Sequence, residues 1–358
     1  MKNISFNILY PHLLIVVLFL GLTMIFFSPL FEGKDLRQQD MSHASGMSKE
    51  LVKYKEETGK VSMWTNSMFG GMPAYQIMGS QENNIFKYLT NVVRFNLPVF
   101  TVAILLIYFL GFYILLLSLR FDPWLSFIGA VAFGLASYNL IIIEAGHITK
   151  AYAIAFMPLV IASIFQIFRS NYVTGLVLTT IALGLEIYSN HVQITYYLFL
   201  MILVMMLVYF IYAIRSKSLK DFFKKTAILI VAAVLAILPN ISNLWTTYEY
   251  GKVTLRGPSE LKKNDGEKVS SGLDKDYAFS WSYGKAETGT LLIPYFVGGS
   301  SSESLGENST SYNELQTKGV PNASGIVENL PMYWGDQPFT SGPVYVGAIV
   351  CFLFVLGL

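Results

Sequence analysis

The chain has 358 residues, of which 53% are hydrophobic and only 13% are charged, and its mean hydropathy is +0.49. Soluble domains carry about 25% charged residues, so this composition predicts a polytopic membrane protein. The net charge of +2 gives no support to nucleic-acid binding. The single cysteine, Cys351, excludes a disulfide within the chain and a cysteine-based metal site.

Apolar segments long enough to cross a bilayer recur along the chain. The first is followed by bulky residues and lacks a small-residue cleavage site, which predicts an uncleaved helix rather than a signal peptide. The predicted spans are 8–29, 97–119, 123–143, 150–168, 172–189, 191–214, 225–247 and an eighth that begins near 343. Because this last segment barely reaches across a bilayer before Leu358, we expect a single transmembrane domain, 1–358, that is truncated at its C-terminus.

Basic residues segregate to alternate connections between these spans. With the N-terminus inside, the short outside connections hold only Lys150. The inside connections hold Lys2, Arg120, Arg169, Arg215, Lys217, Lys220, Lys224 and Lys225. This positive-inside pattern predicts a cytoplasmic N-terminus and two long extracytoplasmic loops, 30–96 and 248–342.

Both long loops have compositions that predict folded structure, mixed α/β or irregular. The first contains an aromatic- and glycine-rich segment from Trp64 to Gln76 and a predicted helical stretch near 47–57. The second contains a Gly/Ser-rich run, Gly298–Ser302, which is typical of a flexible loop or lid.

Polar residues cluster on the predicted outer face, where ionisable groups often mark a site or a pathway. The set comprises Asp35, Asp40, Glu144, His147, Lys150, Glu186, His191 and Gln193. The alternative interpretation is that each residue only caps a helix end at the membrane interface. The joint clustering favours a site.

Helix N-termini on the same face favour an anion, since they present unpaired N–H groups and a positive dipole end. Thr149 and Lys150 open the fourth span, Ser189 and Asn190 are placed to cap the sixth, and Arg94 lies just before the second. These positions would suit a phosphate, with Asp35 or Asp40 as a nearby general base. A divalent cation is also conceivable, because His43 could help Asp40 in a metal site, but two residues are too few to argue for one.

Several motifs resemble those of the YfhO-type bacterial membrane proteins, within the GT-C glycosyltransferase superfamily. They are Gln38-Gln39-Asp40, Gly46-Met-Ser-Lys-Glu50, Trp64 to Tyr75, Gly146-His147-Ile-Thr-Lys150 and Ser189 to Tyr197. The resemblance implies an all-α, GT-C-like helical bundle in the bacterial inner (cytoplasmic) membrane. It also implies a glycosyltransferase that uses a polyprenyl-phosphate sugar and modifies a cell-envelope acceptor, either a glycopolymer or a lipid.

The hypothesis that follows gives each candidate residue a role. Asp40 is the expected base and Asp35 the second choice, while Lys150 and His147 stabilise the departing phosphate, with Arg94 as a weaker candidate. The remaining polar residues would orient sugar or acceptor: Glu144, Glu186, His191 and Gln193. Trp64 and Tyr75 could stack on a sugar ring or simply pack within their loop.

Two other functions stay open. A transporter or flippase of lipid-linked sugar predicts ionisable residues deeper in the spans, or broken helices near the midplane. A non-catalytic scaffold for envelope assembly would use the long loops as docking surfaces, but it leaves the grouping of Asp40, His147 and Lys150 unexplained.

Overall fold

The computed structural model describes residues 6–77, 83–254, 257 and 273–358, and these residues are mostly helical. The α-helices are α1 Phe6–Phe26, α2 Ser28–Phe31, α3 Gln39–Thr58, α4 Ile85–Val93, α5 Val102–Ser118, α6 Pro123–Gly134, α7 Ser137–Ala145, α8 Ile148–Phe168, α9 Tyr172–Tyr188, α10 Val192–Arg215, α11 Leu219–Ile237, α12 Ile241–Gly251, α13 Lys275–Phe279, α14 Thr310–Thr317, α15 Ala323–Val327 and α16 Ala348–Gly357. Three 3₁₀ helices cover Ala74–Gln76, Leu238–Asn240 and Ala286–Leu291. Strands β1 (Trp64–Thr65) and β2 (Met72–Pro73) form one antiparallel pair.

Helices that can cross a membrane are present, as the composition predicts. Within the described residues, four are long and apolar enough by length and composition: Leu9–Phe26, Ile148–Phe168, Val192–Arg215 and Leu219–Gly251. The number rises to five if α6 and α7 form one broken span. Shorter apolar helices cover Val102–Ser118, Tyr172–Tyr188 and Ala348–Gly357. These helices support the prediction of a helical membrane protein.

Some predicted spans differ from the helices in their ends or continuity. The span predicted at 123–143 is interrupted, since α6 ends at Gly134 and α7 begins at Ser137. The second helix begins at Val102 rather than at 97, because the chain passes through left-handed residues at Phe95 and Asn96 and then through a turn from Pro98 to Thr101. The seventh span is longer than predicted and continues through the turn at Pro239 to Gly251.

The chain divides into two compact units. The first contains 1–135 and 146–248, and the second contains 136–145 and 249–358. In the first unit the core centres on α5, whose residues from Val102 to Phe109 are almost fully buried. Helix α5 approaches α8 closely at Gly111, where a Cβ would lie 2.8 Å from the Ala155 carbonyl oxygen. Small residues at such contacts let membrane helices pack backbone to backbone.

Helix α4 is fixed to the same unit by buried amides. The Asn84 Oδ1 atom accepts a hydrogen bond from the Phe86 N–H at 2.9 Å and so caps the helix. Its Nδ2 donates to Asn240 Oδ1 at 2.8 Å, and Asn240 in turn donates to the Gly184 carbonyl at 3.2 Å. Because buried polar groups need partners, this chain of bonds sets the position of α4 against α9.

Helix α3 is tied to the β1–β2 hairpin through Glu50. The carboxylate accepts hydrogen bonds from the Thr65 hydroxyl, the Asn66 N–H at 3.1 Å and the Ser67 N–H at 3.0 Å. These bonds, led by that of Thr65, lower the pKa of Glu50. The predicted helical stretch near 47–57 is therefore part of a longer helix that carries the hairpin.

The second unit is built around a buried carboxylate, Glu287. It accepts hydrogen bonds from the Gly284 N–H at 3.0 Å, the Tyr333 hydroxyl at 2.6 Å and the Gln337 side-chain amide at 3.1 Å. Burial, together with this bond to Glu287, raises the pKa of Tyr333 to about 12. The hydroxyl therefore stays protonated and remains a donor at ordinary pH.

The Gly/Ser-rich run Gly298–Ser302 is held by backbone hydrogen bonds, whereas its composition predicts a flexible loop or lid. Gly299 N–H donates to the Met332 carbonyl at 2.9 Å, and Met332 N–H donates to the Ser300 carbonyl at 3.0 Å. Ser301 N–H donates to the Thr340 carbonyl at 2.9 Å. Composition does not reveal these partners because they lie some thirty to forty residues further along the chain.

Candidate functional site

Asp40 lies in the first turn of α3, where a carboxylate interacts favourably with the helix dipole. Gln38, the residue that precedes α3, fixes this end of the helix. Gln38 is buried, its Nε2 donates to the Phe100 carbonyl at 3.4 Å, and its own carbonyl accepts from the Ser42 N–H at 3.1 Å. The first extracytoplasmic loop predicted from sequence therefore holds Asp40 on an anchored helix start.

Gly146 allows this helix start to approach α8. Its φ of +89° is a conformation that favours glycine. A Cβ there would lie 3.1 Å from the Met41 nitrogen, 3.2 Å from Asp40 Cβ and 3.3 Å from Gln38 Cβ. The Gly-His-x-x-Lys segment is thus in direct contact with the Gln-Gln-Asp segment.

The next residue, His147, completes the contact with Asp40. Its Nδ1 lies 3.2 Å from Asp40 Oδ2, and both side chains are about half exposed, at 45% and 52%. Burial lowers the pKa of His147, the Asp40 charge opposes that shift, and the Lys150 charge adds to it. With its pKa lowered, the imidazole is mainly neutral near pH 7, and its Nδ1 faces the Asp40 carboxylate.

Lys150 and His191 extend this group. His191 precedes α10 as His147 precedes α8, and neither side chain makes a capping hydrogen bond within the described structure. The pKa of His191 is lowered, mainly by burial and then by the nearby charge of Lys150. A positive side chain thus lies near the N-termini of two helices, and these N-termini are themselves positive.

Arg94 does not join this group. It follows the last residue of α4, and its guanidinium lies over the Tyr152 ring at 4.7 Å from the centroid. Tyr152 is two residues beyond Lys150 and therefore projects from a different face of α8. Arg94 is engaged by an aromatic ring there, which weakens the prediction that it binds the same phosphate as Lys150.

Asp35 lies five positions before Asp40, in the segment that leads into α3. It lines a shallow surface depression with Arg37, Ser42 and Ser45. Its side chain is exposed.

Three other predicted site residues have separate surroundings. Gln193 is exposed and donates to the Tyr197 hydroxyl at 2.7 Å along α10. Glu186 is fully buried, and both of its carboxylate oxygens lie 3.1 Å from the Thr195 hydroxyl. Glu144 belongs to the second unit and lines a cavity there.

The prediction that Ser189 and Asn190 cap the sixth span is wrong. The Ser189 hydroxyl donates backwards to the Leu185 carbonyl at 2.9 Å, while Asn190 Oδ1 accepts from Asn243 Nδ2 at 2.7 Å. Asn190 adopts φ +59°, so the chain turns between α9 and α10 and the next helix begins after His191. Both side chains therefore stabilise that turn.

Trp64 and Tyr75 each contact another part of the protein, although Trp64 stays about half exposed. The Trp64 indole lies over Gly71, where a Cβ would come within 2.7 Å of the ring. Tyr75 donates its hydroxyl to the Thr246 carbonyl at 3.4 Å. Of the two interpretations left open by the sequence, these contacts favour packing over sugar stacking.

Sequence reasoning missed the residues that position Asp40. Gln38 and Gly146 each stand within a motif that carries the family resemblance, so a signal was present in the sequence. That signal did not show which side chains anchor the loop.

A metal site is not supported either, since the described residues contain no group of three or more His, Cys, Asp or Glu that could hold an ion.

The described residues are mostly helical and include four or five apolar helices that could cross a membrane. Comparison of the chain with protein-family models, with curated proteins and with solved structures gave no match. The resemblance to the YfhO-type proteins therefore stays a prediction that rests on the quoted motifs.

Proposed function

We propose that the protein is a membrane glycosyltransferase of the GT-C type. It would move a sugar from a polyprenyl-phosphate donor to a cell-envelope acceptor at the outer face of the membrane. The observation that carries the proposal is the contact of Asp40 with His147 at the start of α8, one helical turn from Lys150. The contact supports the proposal because a carboxylate suited to act as a base and a lysine would then lie near one helix N-terminus.

The bond changes can be assigned to these groups. A carboxylate oxygen of Asp40 takes the proton of an acceptor hydroxyl. The oxygen of that hydroxyl attacks the anomeric carbon of the sugar at the same time. The bond from the anomeric carbon to the phosphate oxygen breaks, and the phosphate leaves with the bonding electrons. Attack from the face opposite the leaving group inverts the configuration at that carbon.

Lys150 and the first N–H groups of α8 would stabilise the charge on the departing phosphate. A neutral His147 cannot also act as a cation. In this proposal it therefore holds the carboxylate in position, in the way that a hydrogen bond fixes the orientation of a catalytic partner. His191 contributes to the same helix-terminal environment from α10.

A lipid-linked donor suits the surroundings of the site. Helix α10 presents a long row of exposed apolar side chains, among them Phe199, Leu203 and Leu207. Such a surface is compatible with a bilayer, in which a polyprenyl chain would be dissolved.

Transfer of radiolabelled sugar from polyprenyl phosphate, in membranes that contain the full-length protein, tests this proposal. We expect Lys150→Gln to lower transfer by about a hundredfold or more, the scale of loss of one charge-stabilising group. Lys53→Gln on the exposed face of α3 is the matched control and should transfer normally. Equal transfer by both variants, or none by the wild-type protein with any polyprenyl-phosphate sugar tested, would contradict it.

A transporter of lipid-linked sugar is the second candidate, and two observations favour it. The third predicted span is broken between Gly134 and Ser137, and Glu186 is a fully buried carboxylate within an apolar helix. Both features occur in transport pathways. Uptake or flipping of labelled lipid-linked sugar that Glu186→Gln abolishes and Asp40→Asn leaves intact would favour this alternative.

A further inference from the structure

A polar cavity of about 480 Å³ lies within the second unit, between α7 and the segments 294–304 and 341–345. Its size falls in the range of roughly 300–1,000 Å³ that is typical of small-molecule sites. The glycosyl-transfer proposal does not use it, and its lining differs in charge from the group around Lys150.

Among the residues that the structure describes, those that line this cavity include negatively charged side chains and no positively charged ones. Glu144 projects into it from α7 and Glu303 from the opposite segment, and the lining includes no lysine or arginine. Like charges that face one cavity repel anions and favour a cation between them. A phosphate or a sugar acid would therefore be a poor ligand.

The cavity wall is ordered by its own hydrogen bonds. Glu303 Oε2 accepts from the Ser300 N–H at 2.9 Å, and its Oε1 lies 3.4 Å from the Tyr295 hydroxyl. A Cβ at Gly299 would overlap the Glu303 carboxylate, so glycine is needed for this approach. On the other side, Ser137 Oγ accepts from the Tyr345 N–H at 2.7 Å. The pocket is therefore pre-formed.

Hydroxyl and aromatic groups complete the lining. The lining also includes four serines, Ser300, Ser302, Ser304 and Ser341. Tyr295, whose ring borders the pocket, has φ +58°, an unusual conformation for a bulky residue. Strained residues of this kind occur often at ligand sites, and an aromatic ring can also contact a cation.

We propose that this pocket binds an amine-bearing, hydroxyl-rich ligand of the hexosamine class. The ammonium group lies between Glu144 and Glu303, and the ligand hydroxyls bond to the serines of the lining. A divalent metal ion fits less well, because the described residues contain no group of three or more His, Cys, Asp or Glu placed to hold one.

Two sugars that differ in one charged group test the proposal. Saturation-transfer NMR would be recorded on the full-length protein in detergent, with glucosamine or N-acetylglucosamine as the probe. We expect glucosamine to bind and N-acetylglucosamine to bind at least about tenfold more weakly, since acetylation removes the positive charge.

Variants identify the place of binding. Glu144→Gln and Glu303→Gln should each weaken glucosamine binding about fivefold or more, whereas Glu314→Gln on the exposed face of α14 should not. Glu144 is the more decisive position, because it lies on a helix and its substitution leaves the Ser300 hydrogen bond intact. Equal binding of the two sugars, no binding of glucosamine, or glucosamine binding unchanged by both pocket variants would overturn the proposal.

Discussion

The Nδ1 atom of His147 lies 3.2 Å from Oδ2 of Asp40, although 107 positions separate the two residues in the sequence. The contact joins the start of α3 to the start of α8. Two predicted site residues from different segments are thus neighbours. Gly146, which precedes His147, makes the approach possible because it has no side chain to press on the start of α3.

Gly146→Ala should disrupt this contact. The left-handed conformation costs an alanine about 1–2 kcal/mol, and the added Cβ would also press on the first turn of α3. We therefore expect a lower thermal unfolding midpoint and a loss of transfer activity. The matched control is Gly46→Ala, because no atom lies within 4 Å of the added Cβ and alanine favours a helix. Equal behaviour of the two variants would show that Gly146 is not needed for the approach.

The stability of the protein should fall as the pH drops below about 6.5. The pKa of both His147 and His191 is lowered in the folded state, chiefly by burial. Their neutral forms therefore stabilise the fold above the pKa of the unfolded chain, and this contribution is lost as the pH falls through the folded pKa.

Thermal unfolding midpoints between pH 8 and pH 5 measure this effect. The double variant His147→Asn with His191→Asn should have a flatter profile than the wild-type protein, and His43→Gln on the exposed face of α3 should keep the wild-type slope. A double variant with an unchanged slope would show that other groups cause the pH dependence.

Glu50→Ala should release the hairpin segment from α3. The Asn66 and Ser67 N–H groups lose their acceptor, so we expect amide hydrogen exchange across 64–68 to accelerate. Glu57→Ala, whose side chain is exposed near Lys53, serves as the control and should leave that exchange unchanged. Slow exchange in Glu50→Ala would mean that other contacts hold the hairpin.

Hydropathy was enough to predict where the apolar helices lie, because membrane helices must be long and continuous in apolar character. It could not predict that α6 ends at Gly134 or that α5 starts at Val102. These ends depend on backbone angles such as those of Phe95 and Asn96. Local composition does not encode them.

The site was predicted less completely than the helices. Asp40, His147 and Lys150 were singled out from type and position, and the first two are in contact. Arg94 and Gln193 were grouped with them from sequence position alone, and the contacts that the structure gives these two side chains are with Tyr152 and Tyr197. The anchors Gln38 and Glu50 act through contacts with distant segments, so one sequence could not reveal them.

The most direct test of the proposed mechanism compares Asp40→Asn with Asp35→Asn for sugar transfer from polyprenyl phosphate, in membranes with matched amounts of full-length protein. We predict that Asp40→Asn loses about a hundredfold or more of the activity, as expected for a general base, while Asp35→Asn stays close to the wild type. Undiminished transfer by Asp40→Asn would contradict the assignment of the base, and undiminished transfer by both variants would contradict the mechanism as a whole.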